Sequence, residues 1–177
     1  MSNEHLLEFI KSRRSIRKFK PETPPMDLVL KAIDTARYAP SAGNSQPWRF
    51  IVVNDPILKS KLASIHIHAK PLESAPLAVV VACVIDESPL SYMLDCASAT
   101  LYFLLAAHAM GLGTVWIQAL RNIDEIRKIL NIPSNAIPVA IVAIGYPDET
   151  PSLRPRKPLE EIVYLNKYGS KITASTK

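Results

Sequence analysis

The segment Leu90–Met110, LSYMLDCASATLYFLLAAHAM, decides the fold of this chain. Its residues are apolar nearly all round a helix, and Asp95 carries its only formal charge. A helix without a polar face belongs in a protein core or a membrane. A membrane span is rejected, because the uncharged stretch Cys96–Leu120 contains His108 and two glycines and then becomes the strand-like Thr114–Ile117. We predict a buried central helix, and leave open whether Asp95 is paired inside it or faces solvent.

Strands and helices alternate around this centre. Leu77–Ile85 is a continuous, largely β-branched apolar run, which indicates a strand covered on both faces. Apolar residues at helical spacing predict further helices on either side of it. The predicted strands are Trp48–Val53, Leu77–Ile85, a short strand around Val115, and Ile137–Ile144. We predict an α+β fold, a mixed β-sheet flanked by helices, in a single domain over residues 1–177.

Composition limits the function classes. A chain of 177 residues, 48% of them hydrophobic, can bury a sizeable core. Its net charge of +5 and pI of about 9.2 suit nucleic acid, an anionic membrane surface or an anionic small molecule. The arginines gather towards the two ends of the chain without interleaved aromatic residues, which favours a focused anion site over a nucleic-acid track. We therefore expect neither nucleic acid nor membrane as a partner.

Cysteines and histidines give no metal or redox motif. Cys83 and Cys96 form no CxxC pair, and we expect two free, buried thiols in a reducing compartment. Residues Met1–His5 lack the basic and apolar segments of a signal peptide, so a cytoplasmic protein is expected. His66 and His68 point to different sides of a helix and have no Asp, Glu or Cys nearby. No metal site is predicted.

Three polar segments carry the chemistry. Arg13–Lys20, RRSIRKFK, combines five cations with one hydroxyl, the donors that suit a phosphate dianion. A second basic cluster is Arg154–Lys157, RPRK, and between the two lies the turn-rich Ala39–Trp48, APSAGNSQPW. Each alone has a simpler explanation: cations at a helix C-terminus, a solvated charge run, and a turn before a packing tryptophan. Together they indicate one phosphorylated, planar cofactor.

Other cofactor and catalytic motifs are missing from the sequence. There is no GxGxxG after a strand, no GxxxxGK[ST] and no GxSxG. A Rossmann dinucleotide site, a P-loop and a hydrolase nucleophile elbow are therefore not predicted. A cofactor that brings its own chemistry fits better, because the protein then supplies binding, orientation and electrostatics.

The motifs resemble the nitroreductase family of FMN-dependent oxidoreductases, in the family's order and over almost the whole chain. The matching segments are RRSIRKF (13–19), PSAGNSQPWRF (40–50), GLGTVWIQ (111–118) and RPRKPLEEIV (154–163). The resemblance implies a nitroreductase-like fold, an intertwined homodimer and FMN at the subunit interface. Trp116 and Ala119 stand where some relatives have proline and glycine, and the stretch 69–76 is short where larger relatives insert helices.

The resemblance also assigns roles to residues. The N-terminal motif holds the phosphate, ribityl chain and pyrimidine edge, and the C-terminal pair completes the phosphate grip. The turn after position 39 reaches the flavin from the partner subunit, and two backbone amides face flavin N5. No catalytic side chain is required. The implied FMN-binding residues are Arg13, Arg14, Ser15, Arg17, Pro40, Ser41, Asn44, Ile117, Gln118, Arg154 and Arg156.

By the same resemblance, NADH or NADPH gives hydride to the flavin, and a nitroaromatic, a quinone or another electron-poor acceptor then replaces it. Other flavin chemistry on the same fold stays open, including reductive dehalogenation, dehydrogenation and flavin storage. A basic nucleic-acid-binding module is the alternative from another class, and it predicts a colourless protein whose binding weakens steeply with salt.

Overall fold

Four strands form one sheet, in the order β1-β2-β4-β3. The computed structural model describes residues 3–171. The strands are β1 (Trp48–Val53), β2 (Leu77–Val84), β3 (Gly113–Gln118) and β4 (Ala136–Gly145). The helices are α1 (Asn3–Ser12), α2 (Met26–Ala36), α3 (Pro56–Ser64), α4 (Pro71–Ser74), α5 (Tyr92–Ala109), α6 (Ile123–Leu130) and α7 (Leu159–Ile162). The predicted α+β class is confirmed, and β1 has its predicted bounds.

The strand directions correct one part of the prediction. All three pairings in the sheet are antiparallel, so its four strands are not mixed in direction. Val53, the last residue of β1, lies opposite Ala78 near the start of β2, so the helices between them return the chain to the end of the sheet it left. The helices between successive strands had led to the prediction of a mixed sheet, with some parallel pairs. Within residues 3–171, the only parallel pairing is a bridge from Ser15 to Thr114.

Helices cover both faces of the sheet, and successive side chains of β2 point alternately towards the two helical layers. Leu77 and Val79 pack with α2 and α5, whereas Ala78 and Val80 pack with α3 and α6. Every β2 residue except Val84 is buried, as expected for a strand covered on both sides. The β3 edge is therefore held between two packed layers, and residues 13–19 cross beside it.

The central helix α5 is buried on one side only. Asp95, Ala99 and Phe103 are buried on the side that faces the sheet. Leu94 is 71% exposed and Leu101 is 47% exposed on the other side. The helix is thus apolar all round, as predicted, but this chain covers only part of its surface.

A disulfide joins Cys83 to Cys96. This corrects the expectation of two free thiols, although both residues are buried as expected. β2 and the first turns of α5 pack face to face, which brings the two Cα atoms to 6.1 Å, within the range that a disulfide spans. The pairing depends on that packing, and the spacing of 13 residues along the chain does not reveal it.

Within residues 3–171, no helix is both long enough and apolar enough to cross a membrane.

Candidate functional site

The stretch after α1 lies along the free edge of β3. The Ile16 amide donates to the Thr114 carbonyl at 2.9 Å, and Ser15 forms the parallel bridge with the same residue. Gly113 permits this approach, because a Cβ there would lie 2.9 Å from side-chain atoms of Ile16. The first cationic motif is therefore fixed to the sheet, with Ile16 buried and its neighbours left for the surface.

Arg13 and Arg14 line a cavity of about 420 Å³, which we call the arginine cavity, together with His108 and Thr114. Burial, and then the charges of Arg14 and Arg156, lower the pKa of Arg13 from its ordinary value. Arg14 donates to the Lys11 and Arg13 carbonyls at 2.7 and 2.9 Å, so the simpler helix-end explanation holds in part for Arg14. Arg13 has no carboxylate partner among the described residues. Like charges gathered without a paired carboxylate favour an anionic ligand.

A larger cavity of about 910 Å³, the β3 cleft, adjoins the arginine cavity at Glu149, which lines both. The Glu149 carboxylate accepts from the backbone amides of Arg17 and Lys18, the second at 3.1 Å. Its charge is thereby directed at the backbone rather than at the guanidinium groups. The other side chains at the cleft are mostly basic or apolar: Arg17, Lys18, His66, Ile67, His68, Lys70, Pro71, Val115, Trp116, Ile117, Gln118 and Arg121.

Ile117 and Gln118 are the last two residues of β3 rather than a loop. Ile117 is buried, Gln118 is exposed, and both line the β3 cleft. His66 Nε2 lies 3.2 Å from the Gln118 carbonyl, and His66 Nδ1 accepts from the His68 amide at 3.1 Å. The two contacts require a neutral imidazole with its proton on Nε2. His66 therefore ties the short turn over 67–69 to the end of β3.

Residues 40–46, which we call the polar turn, are held in an unusual backbone conformation. Gly43, Asn44 and Gln46 have φ values of 58°, 58° and 50°. The Gln46 amide donates to Ser41 Oγ at 3.1 Å. Left-handed backbone at non-glycine residues needs support from its surroundings and is concentrated at functional sites. Pro40 and Asn44 are exposed, and Ser41 is half-buried.

Asp95 supplies support for the polar turn. It is 5% exposed, and its two oxygens accept from the Ala42 amide at 3.0 Å and from Ser88 Oγ at 2.6 Å. The question left open by the sequence is thus answered: Asp95 is buried and paired. The turn is anchored to the first turn of α5.

One chain does not bring the polar turn to the arginine cavity. Ser15 bridges to Thr114 of β3, which is level with Ile144 of β4. Trp48, just after the turn, lies on β1 and is level with Ile137 of β4. The two places are three strand spacings apart across the sheet and seven residues apart along it, or about 14 Å and about 23 Å.

The C-terminal pair is placed unequally. Arg156 is near enough to Arg13 to lower its pKa, and its Nη1 donates to the Arg154 carbonyl at 3.1 Å. Arg154 is exposed and lines neither cavity. Within residues 3–171, no group of three or more His, Cys, Asp or Glu side chains is placed to hold a metal ion.

Comparison with known proteins identifies the family. The model of the nitroreductase family matches residues 10–92 and 86–146. This chain belongs to the nitroreductase family. The matched residues include the whole N-terminal motif, the polar turn and all of β3. The fold and the enzyme class expected from the motifs are thereby confirmed.

Three nitroreductase-family relatives of this chain are named for different activities. A Methanothermobacter thermautotrophicus protein named for NADH dehydrogenase and NAD(P)H nitroreductase is 37% identical, over 87% of this chain and 83% of its own. An FMN-dependent nitroreductase of Clostridium difficile has a solved structure that superposes with a TM-score of 0.84 at 31% identity, covering 92% of this chain and 99% of its own. An iodotyrosine deiodinase of Thermotoga neapolitana is 29% identical over 89% of this chain and 95% of its own.

Sequence reasoning missed three residues of this nitroreductase-family site. Glu149 orients the backbone of the first motif across 132 residues of chain, and His66 reaches β3 across 52. His108 was treated only as an interruption of an apolar helix, yet it lines the arginine cavity. The sequence signal for His108 was its polar ring near the end of an apolar helix, and that signal did not indicate which cavity the ring would line.

Proposed function

We propose that this chain is an FMN-dependent oxidoreductase that takes hydride from NADH or NADPH and delivers it to a nitroaromatic, a quinone or a similar electron-poor acceptor. The observation that carries the proposal is the cluster of Arg13, Arg14 and Arg156 beside a cavity that shares Glu149 with the β3 cleft. An anion pocket next to a slot of several hundred Å³ suits a phosphorylated ring system.

The residues fit FMN chemically. Arg13, Arg14, Ser15, with Arg156 and Arg154 from the tail, would hold the phosphate. Arg17 would lie at the pyrimidine edge, where a cation stabilises the negative charge of the reduced ring and raises its reduction potential. The backbone of Ile117 and Gln118 would align the ring edge that receives hydride. When bound, FMN supplies the two-electron chemistry, and the chain supplies binding, orientation and charge.

The electron donor is proposed to share the β3 cleft with the acceptor. Lys70 and Arg121 line the cleft, and their positive charge suits the phosphates of a nicotinamide dinucleotide. The sequence contains no separate dinucleotide-binding motif, which agrees with donor and acceptor binding in turn over one flavin. No side chain is assigned as acid or base.

A homodimer would complete the site. The polar turn lies far from the arginine cavity of its own chain, so Pro40, Ser41 and Asn44 would contact FMN held by the partner. Residues 1–177 would form one domain in each subunit. The dimer would also cover apolar side chains that a single chain leaves exposed. These include Leu6, Leu7 and Ile10 of α1, Leu94 and Leu101 of α5, and Leu153, Leu159 and Ile162 of the tail.

A second function has specific support from the Thermotoga neapolitana relative, an iodotyrosine deiodinase. Reductive dehalogenation would use the same cofactor and the same cleft, and would differ in the acceptor. The nucleic-acid-binding alternative has less support, because Arg13 and Arg14 line a cavity rather than an extended surface track.

The test uses the purified full-length protein. A yellow protein whose cofactor, released by denaturation, elutes with FMN rather than FAD or riboflavin is expected. Anaerobic addition of NADH or NADPH should bleach the visible flavin band, and a nitroaromatic or quinone should restore it. Bleaching by neither donor would refute the reductase proposal. Faster reoxidation by an iodotyrosine than by either acceptor would favour dehalogenation.

A further inference from the structure

His108 lies in the last turn of α5 and is held there by α1. Its ring stacks on Phe9, with centroids 4.9 Å apart and planes 22° from parallel. Its Nε2 lies 2.8 Å from Ser12 Oγ. Because α1 has no buried residue of its own, these two contacts fix the end of α1 that leads into Arg13. His108 thus sits at the junction between the central helix and the cationic motif.

The hydrogen bonds assign the protons on the ring. Ser12 Oγ donates its only hydrogen to the Phe9 carbonyl at 2.7 Å. The 2.8 Å contact with His108 must therefore be donated by Nε2–H of the imidazole. That proton is present in both the neutral and the cationic ring. The proton that can come and go is the one on Nδ1.

The charges around His108 are nearly all positive. Arg13 and Arg14 line the same cavity, and Glu149 is the one carboxylate among the described residues that line it. Glu149 already accepts from two backbone amides on the far side of the first motif. Burial, and then Arg13 and Arg14, lower the pKa of His108 below its ordinary value. Both effects favour the neutral ring.

We propose that His108 is a phosphate-responsive residue of the cofactor pocket, taking up a proton on Nδ1 when the FMN phosphate enters and thereby adding a cation to the arginine cluster. The inference rests on the proposed function, since it requires that phosphate to occupy the arginine cavity. A dianion placed among these groups would attract the protonated ring and stabilise it. This effect is opposite in sign to that of Arg13 and Arg14, which repel the protonated ring. Proton uptake and phosphate binding then strengthen each other.

The test measures the dissociation constant of FMN for the apoprotein between pH 5 and pH 8, by quenching of flavin fluorescence. His108→Gln keeps an N–H donor for Ser12 but has no titratable proton, and His5→Gln, at an exposed histidine of α1 that lines neither cavity, is the control. The phosphate of FMN itself titrates near pH 6, and this favours binding at higher pH equally in every protein. The ratio of the His108→Gln constant to the wild-type constant removes that contribution.

We expect this ratio to be near one at pH 8 and to rise as the pH falls, approaching about ten for a one-unit rise in the His108 pKa on binding. Riboflavin, which lacks the phosphate, should give a ratio near one throughout. A purely structural role would instead weaken FMN and riboflavin alike at every pH, and that result would overturn the proposal. So would a flat ratio for FMN.

A second measurement needs no variant at position 108. Proton NMR of the imidazole C–H signals in wild-type protein should show the pKa of His108 rising when FMN is added and staying unchanged with riboflavin. An unchanged pKa with FMN bound overturns this inference alone. A protein that does not bind FMN overturns both this inference and the proposed function.

Discussion

The arginine cavity and the polar turn are incomplete in opposite ways. The cavity gathers charge that the described chain does not neutralise: Arg13, Arg14 and Arg156 lie close together without a carboxylate partner for Arg13. The backbone of the polar turn is held by Asp95 and Ser41, and the turn presents Pro40 and Asn44 to the surface. The arginine cavity thus offers positive charge to an anion, whereas the polar turn offers a fixed backbone and exposed polar groups.

We propose that the two regions are half-sites of one binding site, as the proposed homodimer requires. Left-handed backbone and gathered like charges each cost free energy in the isolated chain. Both costs are offset if a phosphorylated ring lies between the cavity of one copy and the turn of another. The two regions lie about 14 Å apart across the sheet and about 23 Å apart along it, so a single chain does not bring them together.

The largest expected effect comes from removing the charge. Arg13→Ala together with Arg156→Ala should abolish FMN retention in a chain that stays folded, since each change removes a charge-assisted contact of roughly 1.5–3 kcal/mol. Combined, the affinity for FMN should fall at least about a hundredfold. Arg37→Ala is the matched control, because Arg37 is exposed and paired with Asp34 on α2. Flavin content and circular dichroism report binding and folding separately. Undiminished FMN content in the double variant would show that the phosphate lies elsewhere.

The next effect separates the halves. Asp95→Ala leaves the Ala42 amide and Ser88 hydroxyl without their acceptor, a loss of about 1–3 kcal/mol that should loosen the polar turn and weaken FMN binding about tenfold. Asp124→Ala, a change at a carboxylate 98% exposed on α6, is the control. Equilibrium dialysis with FMN measures both variants.

Co-expression of the two defective chains tests the division directly. A hybrid of the Arg13/Arg156 double variant with the Asp95→Ala variant should regain one site of wild-type affinity. That site takes its arginines from one chain and its turn from the other. Differential affinity tags isolate the hybrid, and titration with FMN counts its strong sites. If each site were built within a single chain, the hybrid would have no strong site at all.

A smaller effect is expected at the other end of β3. His66→Phe removes the contacts to the Gln118 carbonyl and the His68 amide, so the strand end should lose its fixed orientation. FMN should be retained, while anaerobic flavin reduction by NAD(P)H slows about tenfold, the equivalent of one neutral hydrogen bond. His5→Phe, at an exposed histidine of α1 that lines neither cavity, should leave the rate nearly unchanged. Equal slowing in both variants would contradict a positioning role for His66.

Local patterns explain which parts were predictable from sequence. The β1 bounds and the continuous β2 run follow from residue type and turn signals. Arg13 and Arg14 of the first cationic motif line a cavity, while the binding role assigned to them stays a prediction. The apolar surface of α5 and the burial of one side of it were predicted correctly. Burial on every side was wrong for one chain, because residues such as Leu94 and Leu101 look the same whether their own core or a second copy covers them.

Contacts across long separations explain what was missed. The disulfide of Cys83 with Cys96, the reach of Glu149 to the Arg17 amide, and the tie from His66 to Gln118 all depend on how packed layers bring distant segments together. Spacing along the chain carries no trace of such contacts. The placement of the polar turn relative to the arginines is of the same kind, and here only the strand order reveals it.

The smallest expected effect is a pH dependence of apoprotein stability. The folded chain lowers the pKa of His108 from its unfolded value of about 6.5, through burial and then Arg13 and Arg14. The unfolded chain therefore binds more protons near and below that pH, and the contribution of His108 to stability is full above it and lost as the pH falls. Melting temperatures of apoprotein should drop more steeply from pH 8 to pH 5 in wild type than in His108→Gln. Adding FMN should reverse the order of the two slopes, because a protonated His108 then belongs to the bound state. If FMN left the pH dependence of the wild-type melting temperature unaltered, the phosphate would not change the protonation of His108. The charge of the arginine cavity would then not depend on the ligand, and the contrast with the polar turn would not hold.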